Sequence, residues 1–503
     1  MRTWTLWLLL AFLAAGCSFA PEYRQPRQEI PDSWCQPVPA RRPSLPDCAA
    51  PEVEYASLSR QWWKRFRDAK LDALVAQALA HNRDIEQGLA RVDKARAALL
   101  AARGGLFPEF TAQGSGVRSR PSLRTSETKG LEQELGGLDR RVSRLEGQPV
   151  PASSAPSRTG TIWSGSVQAA WELDIWGRWR NTASAARQGL LSAEEAQKAL
   201  ELSVAGQVCA AYFELLNADA QAALTEKTLE ARRKAAELYE RQYATGSVDE
   251  LDVLNARTQV DTLQDSLAQA VMRREQAESA LLLLTGAEPA AIYAGRAERG
   301  ASLTALPAVP QVPPGLPSEL LARRPDIVSA EAALRAAHFQ VGAARAAFFP
   351  SISLTGALGV ESTELGSLFS GDSQAWSFGG AVSWPLLTFG RTLGSVRQSE
   401  AAMREAAAAY EKAVQQAFRD VRNALAAQRG MAESSASLGK AAARMERAAE
   451  LARKRYAEGY SPYLDVLEAE RTQYAAQMQF LERRCAHLAA IVQVCVSLGG
   501  GWQ

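Results

Sequence analysis

Four segments of the chain alternate between apolar residues and small or polar ones, which is the pattern of β-strands with two different faces. In the third segment, Ile352, Leu354 and Leu358 lie on one face, and small or hydroxyl side chains lie on the other. The predicted strands span about residues 108–118, 161–172, 350–360 and 375–387. Tryptophans stand near the strand ends, at Trp163, Trp171, Trp376 and Trp384.

Two much longer segments have the composition of helices. From Arg178 to about Tyr243, and from Arg391 to about Tyr456, the sequence is rich in Ala and almost free of Gly and Pro. Each predicts a helix roughly 100 Å long at about 1.5 Å per residue. The second carries a coiled-coil-like apolar stripe at Tyr410, Val414, Phe418, Val421 and Leu425. After a glycine turn, each segment is followed by another helix, to about residues 284 and 498.

The same order of elements occurs twice. In the segment that precedes the first strand of each copy, Asp84 corresponds to Asp326. Later in the chain, Tyr243 matches Tyr456 at a smaller offset, so the first copy carries an insertion between its two strands. The sequence predicts two repeats of helix–helix–strand–strand–long helix–helix. These occupy residues 61–298 and 319–503 and are joined by a Pro-rich linker, 299–318.

Composition argues against several classes of function. Lys and Arg number 57 and Asp and Glu 55, so the net charge of +2 gives no electrostatic reason to expect nucleic acid as a partner. Hydrophobic residues make up 47 %, which is too many for a disordered chain. The chain has 3 His, far apart, and no C-x-x-C, H-E-x-x-H, G-x-G-x-x-G or Walker-type motif. We therefore predict no enzyme, no metal site and no cofactor.

The N-terminus predicts export from the cytoplasm. Residues 1–16 have a short basic region and an apolar run that is too short to span a membrane, as in a secretory signal. The following Leu-Ala-Ala-Gly-Cys17 resembles the lipobox of bacterial lipoproteins, in which the cysteine is acylated and becomes the new N-terminus. That resemblance implies a lipidated arm over residues 17–60 with palmitate or a similar chain on Cys17. The alternative is an ordinary cleaved signal, because Ala14 stands where the lipobox usually has Leu.

The other five cysteines fall into three groups with different expectations. Cys35 and Cys48 lie in one short Pro-rich segment, where either a disulfide or two free thiols fits the sequence. Cys485 and Cys495 are too far apart along one predicted helix to bond to each other. Cys209 lies among apolar helix residues and is predicted to be a core residue.

Four strands with an apolar face and terminal tryptophans suit a transmembrane β-barrel, but four strands cannot close one. Because a lipid-facing sheet must have no open edge, a membrane location requires several chains. Two copies supply eight strands and three supply twelve. A two-layer sheet in water is the alternative, because strand periodicity is common to both.

Motifs along nearly the whole mature chain resemble the outer-membrane factor family of tripartite efflux pumps, in its lipoprotein, NodT-type branch. They are Cys17-x-x-x-Pro21-x-Tyr23, Trp62-Trp63-x-x-Phe66-x-Asp68, the two Tyr-x-x-Gly turns each followed by Leu-Asp-Val-Leu, and Leu498-Gly-Gly-Gly-Trp502. The resemblance implies an α/β membrane protein with the TolC-like fold. A homotrimer of this fold forms a twelve-stranded transmembrane barrel, four strands per chain, that continues into a long α-helical barrel.

The family also implies function and partners. Such a channel is a passive exit duct for small molecules, as in multidrug resistance, located in the outer membrane of a Gram-negative bacterium and anchored by lipid. A periplasmic adaptor joins it to an inner-membrane pump, which we expect to be of the RND type. The alternatives are the outer-membrane channel of a type I protein secretion system, an autonomous porin, and a structural envelope lipoprotein.

By the same resemblance the turns at Gly246 and Gly459, with Tyr243 and Tyr456, form the periplasmic tip that contacts the adaptor. Asp465 and Glu468 match the acidic positions of the gate, and Asp252 is the first-copy counterpart of Asp465. The alternative role for both aspartates is capping of the returning helices, or compensation of the helix dipole from the first turn. We expect capping for Asp252, gating for Asp465, and packing against the turn for the two tyrosines.

Because it lies between two predicted transmembrane strands, we expect the insertion in the first repeat at the outer mouth of the barrel. Leu131, Leu135, Leu138, Val142 and Leu145 recur at spacings of 4, 3, 4 and 3, which predicts a short helix. Three such helices either associate over the pore or lie separately on the barrel rim. The second arrangement is favoured, because two heptads are marginal by themselves.

Overall fold

The computed structural model describes residues 18–23, 25–26, 61–120, 134, 136–138, 141–142, 144–145, 159–306 and 320–500. In the first repeat a single 3-10 turn (Trp62–Phe66) precedes α1 (Ala69–His81), α2 (Arg83–Gly104), β1 (Glu109–Ser119), β2 (Gly160–Leu173), α3 (Arg178–Ala244), α4 (Glu250–Leu284) and α5 (Pro289–Ala294). In the second repeat the elements are α6 (Leu320–Arg323), α7 (Pro325–Ala346), β3 (Ser351–Ser362), β4 (Gln374–Ser383), α8 (Arg391–Ala457) and α9 (Tyr463–Ser497).

Corresponding helices of the two repeats have equal lengths. α2 and α7 each contain 22 residues, α3 and α8 each contain 67, and α4 and α9 each contain 35. The two long helices begin where the sequence predicted and end one residue later, at Ala244 and Ala457. The predicted long helix of each repeat is therefore confirmed.

The four strands form one antiparallel sheet in the order β1-β2-β3-β4. Three strands lie within two residues of their predicted bounds, but the fourth was predicted to residue 387 and ends at Ser383. Pro385 has no N–H to donate to a neighbouring strand, so the ladder stops just before it.

The chain forms two compact units, and each unit draws on both repeats. One contains residues 98–185 and 338–400 and holds the four strands; the other contains residues 23–97, 186–337 and 401–503 and is helical. The predicted division into 61–298 and 319–503 thus describes the repeat in the sequence and not the compact units. The reason is that one repeat supplies only two strands, and an isolated two-stranded hairpin is marginally stable.

The Trp-Trp motif of the first repeat packs in the core of the helical unit. Trp62 and Phe66 are each 1 % exposed, and the ring of Phe66 meets Phe213 of α3 edge to face at 4.9 Å. Next to them the buried Asp68 carboxylate caps α1 by accepting from Lys70 N and Leu71 N, and it also accepts from the Tyr212 hydroxyl at 2.7 Å. The motif therefore fixes the start of α1 against α3.

α3 contains an apolar stretch long enough to cross a membrane, and more than half of that stretch is buried inside the protein. Its side chains include fully buried Val208, Tyr212 and Leu215. Because this apolar stretch is buried against other helices, we interpret it as a core segment.

The predicted linker begins as packed structure. Leu303 and Leu306 are buried in the core of the helical unit, and Arg484 Nη2 donates to Leu306 O at 2.6 Å. The start of the predicted linker 299–318 is therefore anchored to the helical unit. Residues 307–319 lie outside the described part of the chain.

The cysteines that the structure describes are Cys209, Cys485 and Cys495, and all three are buried free thiols. Burial raises the pKa of the Cys209 thiol well above its ordinary value, so the thiol is unreactive. The core position of Cys209 is confirmed, as is the absence of a bond between the other two. Cys17, Cys35 and Cys48 lie outside the described residues.

The residues described within the insertion are helical, which agrees with the predicted helix there. Leu138, Val142 and Leu145 are exposed in the single chain. Leu131 and Leu135 lie outside the described residues. The favoured arrangement, with each helix lying separately on the barrel rim, stays a prediction.

Candidate functional site

The sheet has one apolar face and one polar face. Residues directly opposite each other on antiparallel strands share a face. One row across all four strands is Ala112, Val167, Leu358 and Trp376, and the next row on the other face is Thr111, Gln168, Ala357 and Ser377. On the polar face, side chains bond between strands, as Ser115 with Ser164 at 2.9 Å and Gln168 with Gln113 at 3.3 Å.

The apolar face is uncovered in the single chain. Leu358, Trp376 and Phe378 are 68 %, 78 % and 77 % exposed. An apolar surface that extends across a whole sheet marks contact with lipid or with another protein. The polar face consists mostly of Ser, Thr, Gln, Gly and Ala with three Glu, and no Lys or Arg occurs there within the described strands.

Tryptophans anchor one end of the sheet by the same bond in both repeats. Trp171 Nε1 donates to Leu106 O at 3.1 Å, and Trp384 Nε1 donates to Phe348 O at 3.2 Å. Each indole therefore satisfies its N–H while its ring remains exposed, which suits a residue at the boundary of a bilayer.

The two predicted tip turns are built alike. Gly246 and Gly459 have φ of 75° and 78°, a left-handed conformation that glycine adopts without steric cost. Ser247 N donates to Gln242 O, and Tyr460 N donates to Arg455 O, at 2.9 and 2.8 Å. These bonds close Schellman motifs that end α3 and α8.

The cap of α4 is Asp249, and the expectation that Asp252 caps this helix is wrong. Asp249 accepts from the backbone N–H of Asp252 at 3.0 Å, and Asp252 itself lies in the first turn, where its charge complements the helix dipole. The equivalent position in the second repeat is Pro462, and no side chain caps α9. Asp465 occupies the first turn of α9, as Asp252 does in α4.

The three predicted gate acids are exposed in the single chain. Glu468 forms an ion pair with Arg471 at 2.8 Å, and that guanidinium lowers the pKa of the Glu468 carboxyl below its ordinary value of 4.5. Within the single chain these acids are therefore accessible to other copies or to the pore, and Glu468 is ionised at neutral pH.

The two tip tyrosines differ. The Tyr456 ring lies 5.1 Å from that of Tyr463, which in turn lies 4.8 Å from Tyr239 of α3. Tyr456 thus packs near the turn as expected. Tyr243 is 47 % exposed in the single chain, and its packing against the turn stays a prediction.

Two salt bridges near the turns, one in each repeat, were not predicted from the sequence. In the first repeat Arg257 contacts Glu240 at 2.8 Å, and at the equivalent positions of the second repeat Arg453 contacts Glu470 at 2.7 Å with the charges exchanged. Glu470 also lies 2.9 Å from Arg232 of α3, which is buried. Aligning the repeats on their Tyr-x-x-Gly turns would have revealed the exchanged charges, but no local signal marks Arg232.

Metal-ligating side chains are dispersed in the part of the chain that the structure describes. Across those residues, no group of three or more His, Cys, Asp or Glu is placed to hold a metal ion.

The four-stranded sheet with an uncovered apolar face, together with paired long helices in two repeats, defines a class of protein: the protomer of a TolC-like outer-membrane channel. A sequence model of the outer membrane efflux protein family matches residues 74–287 and 316–500. The chain therefore belongs to the outer membrane efflux protein family, as its motifs predicted.

Individual relatives match over nearly the full length. Outer membrane protein OprJ of Pseudomonas aeruginosa is 34 % identical over 501 residues, which is 98 % of this chain and 95 % of that protein. The cation efflux system protein CusC of Escherichia coli is 31 % identical over 494 residues, which is 98 % of each. The crystal structure of the CmeC outer membrane channel of Campylobacter jejuni superposes with a TM-score of 0.85 at 25 % identity, over 97 % of this chain and 96 % of that one.

Proposed function

We propose that three copies of this chain form the outer-membrane exit duct of a tripartite efflux system for small molecules. The observation that carries this proposal is the uncovered apolar face on a sheet whose outer strands, β1 and β4, each pair on one side only within the described chain. Three sheets joined edge to edge give about twelve strands and leave no open edge in lipid. The apolar face then meets lipid, and the hydroxyl-rich face lines the lumen.

The anchor and the partners follow from the sequence and from relatives. Cys17 carries the lipid that holds the chain in the outer membrane. A periplasmic adaptor contacts the turns at Gly246 and Gly459, and an inner-membrane pump of the RND type supplies the energy. Relatives that are named a cation efflux system protein and a toluene efflux pump outer membrane protein support small molecules as cargo.

The acidic residues of the second turn form the gate in this proposal. In a trimer, Asp465 and Glu468 recur three times around one axis. A ring of carboxylates at a narrow opening attracts cations and repels anions. The exposure of both acids in the single chain supports this role.

Two measurements on detergent-purified mature protein test the proposal. Light scattering after size exclusion should give a trimer, and bilayer recordings should give a channel that is nearly closed and opens in Asp465→Ala. Asp252→Ala is the matched control, because Asp252 holds the same first-turn position in α4 and should change conductance less. A monomer without conductance would overturn the duct. An open trimer that is unaffected by Asp465→Ala would overturn the gate only.

A further inference from the structure

The residues that directly follow Cys17 are held in place by both repeats. Ser18 Oγ donates to Asn181 Oδ1 at 3.1 Å. The Phe19 ring stacks on Phe349, with centroids 4.4 Å apart and planes 8° from parallel. The Trp176 ring packs on Phe349 at 4.9 Å, and Trp176 Nε1 donates to Pro350 O at 2.7 Å. The start of the arm is therefore fixed to the ends of β2 and β3.

Gly342 shows that this contact is close. A Cβ at Gly342 would lie 2.8 Å from the N and Cα atoms of Ala20 and 2.8 Å from Asn181 Nδ2. A glycine inside a helix is destabilising relative to alanine, and α7 contains one where the arm crosses it. By contrast, a Cβ at Gly189 in α3 would meet nothing within 4 Å.

Asn181 supplies a buried donor at the same place. The residue is 3 % exposed, and its Oδ1 accepts from Ser18. Its Nδ2 has no hydrogen-bond partner among the described residues. Buried amide groups almost always have a partner, so this N–H indicates an acceptor beyond Ser18.

We propose that Ser18, Phe19, Asn181, Gly342 and Phe349 form a seat for acylated Cys17, in which Asn181 Nδ2 donates to a carbonyl oxygen of the acylated residue. The acceptor is the amide carbonyl of its N-acyl chain. Cys17 directly precedes Ser18, at about 3.8 Å between Cα atoms, and this amide is attached to the Cys17 Cα through one nitrogen, so its carbonyl is within reach. This inference rests on the proposed lipid at Cys17.

The seat also determines where the acyl chains enter the bilayer. Phe349 and Trp176 lie just beyond the end of the sheet where Leu173 of β2 pairs with Ile352 of β3 on the apolar face. The chains therefore run along this face from Ile352 toward Leu354. The lipid becomes part of the barrel wall and is not a loose tether.

Photo-crosslinking in the full-length mature protein tests the seat. A benzophenone amino acid replaces Ile352 on the apolar face or, as the matched control, Ser353 on the opposite face, in cells fed an alkynyl fatty acid. We expect cross-links between position 352 and the labelled Cys17 peptide at ten times the yield from position 353. Asn181→Asp keeps the shape and the oxygen acceptor but removes the donor, and it should lower that yield at least fivefold.

Two further variants separate the seat from general stability. Phe19→Ala and Gly342→Ala should lower the yield as Asn181→Asp does, whereas Gly189→Ala should leave it unchanged. Equal yields from positions 352 and 353, or a yield unaffected by Asn181→Asp and Phe19→Ala, would overturn the seat. The cross-link forms within one chain, so a protein that fails to trimerise overturns the proposed duct without affecting this result. An unacylated Cys17, detected by the mass of the N-terminal peptide, would overturn the seat and the lipid anchor.

Discussion

Glu470 near the second turn joins helices of both repeats, and its removal should loosen this turn strongly. Its carboxylate lies 2.7 Å from Arg453 of α8 and 2.9 Å from Arg232 of α3. The Arg232 side chain is only 6 % exposed, and it also donates a long bond of 3.4 Å from Nη2 to Leu467 O. In Glu470→Gln, Arg232 keeps a buried charge that no carboxylate balances.

The structure sets the size of the effect. Breaking a buried ion pair by removal of one partner costs about 3–5 kcal/mol, and we take about 3 kcal/mol because Glu470 itself is partly exposed. Since about 1.4 kcal/mol corresponds to a factor of ten, local opening of the turn should become on the order of a hundredfold more frequent. Hydrogen exchange of backbone amides in residues 456–470, followed by mass spectrometry, measures this opening.

The first repeat supplies the control. Glu240 and Arg257 occupy the equivalent positions, but their side chains are 43 % and 60 % exposed. An exposed pair contributes about 0.2–1 kcal/mol, so Glu240→Gln should accelerate exchange at the first turn by less than about tenfold. Exchanging the charges of this pair in a double variant should be nearly neutral. The same exchange of Arg453 and Glu470 should remain destabilising, because it places an arginine beside Arg232.

The proposed role of Glu470 is refuted if Glu470→Gln and Glu240→Gln accelerate exchange equally. It is also refuted if the exchange of Arg453 and Glu470 restores the wild-type rate, since Arg232 would then not require the carboxylate. Exchange in residues 62–81, away from the turn, should stay unchanged in every variant.

Three other predictions concern the membrane face, the turn and pH. Leu358→Arg on the apolar face should destabilise the membrane-inserted protein by about 2–4 kcal/mol, measured as heat-dependent trimer dissociation on a gel, while Ala357→Arg on the other face has little effect. Gly459→Ala should cost about 1–2 kcal/mol, because φ is 78°, and should accelerate hydrogen exchange at the second turn only. Arg471 lowers the pKa of the Glu468 carboxyl below 4.5. The carboxyl is therefore charged above that lowered pKa and loses its charge as the pH falls through it. The effect of Glu468→Gln on reversal potential should therefore be equal at pH 7 and pH 5; a smaller effect at pH 5 would contradict the lowered pKa.

Much of the fold follows from local sequence. The long helices follow from Ala-rich segments without Gly or Pro, and their ends follow from glycines that adopt the left-handed conformation at Gly246 and Gly459. The strands follow from alternation of apolar and polar residues. One local signal was missed: Asp249 stands directly before the first turn of α4, where a helix cap is expected, and it caps the helix in place of Asp252.

The elements, their duplication and the family could be predicted from the sequence alone, because periodicity, turn residues and repeat offsets act over a few residues or recur at fixed spacing. Which distant residues meet is known only from the folded chain. Glu470 contacts Arg232 of the other repeat, and Phe19 of the N-terminal arm contacts Phe349 of the second repeat. The two repeats share one sheet because neither has enough strands alone. Such contacts depend on packing of whole helices and strands, and no short stretch of sequence contains that information.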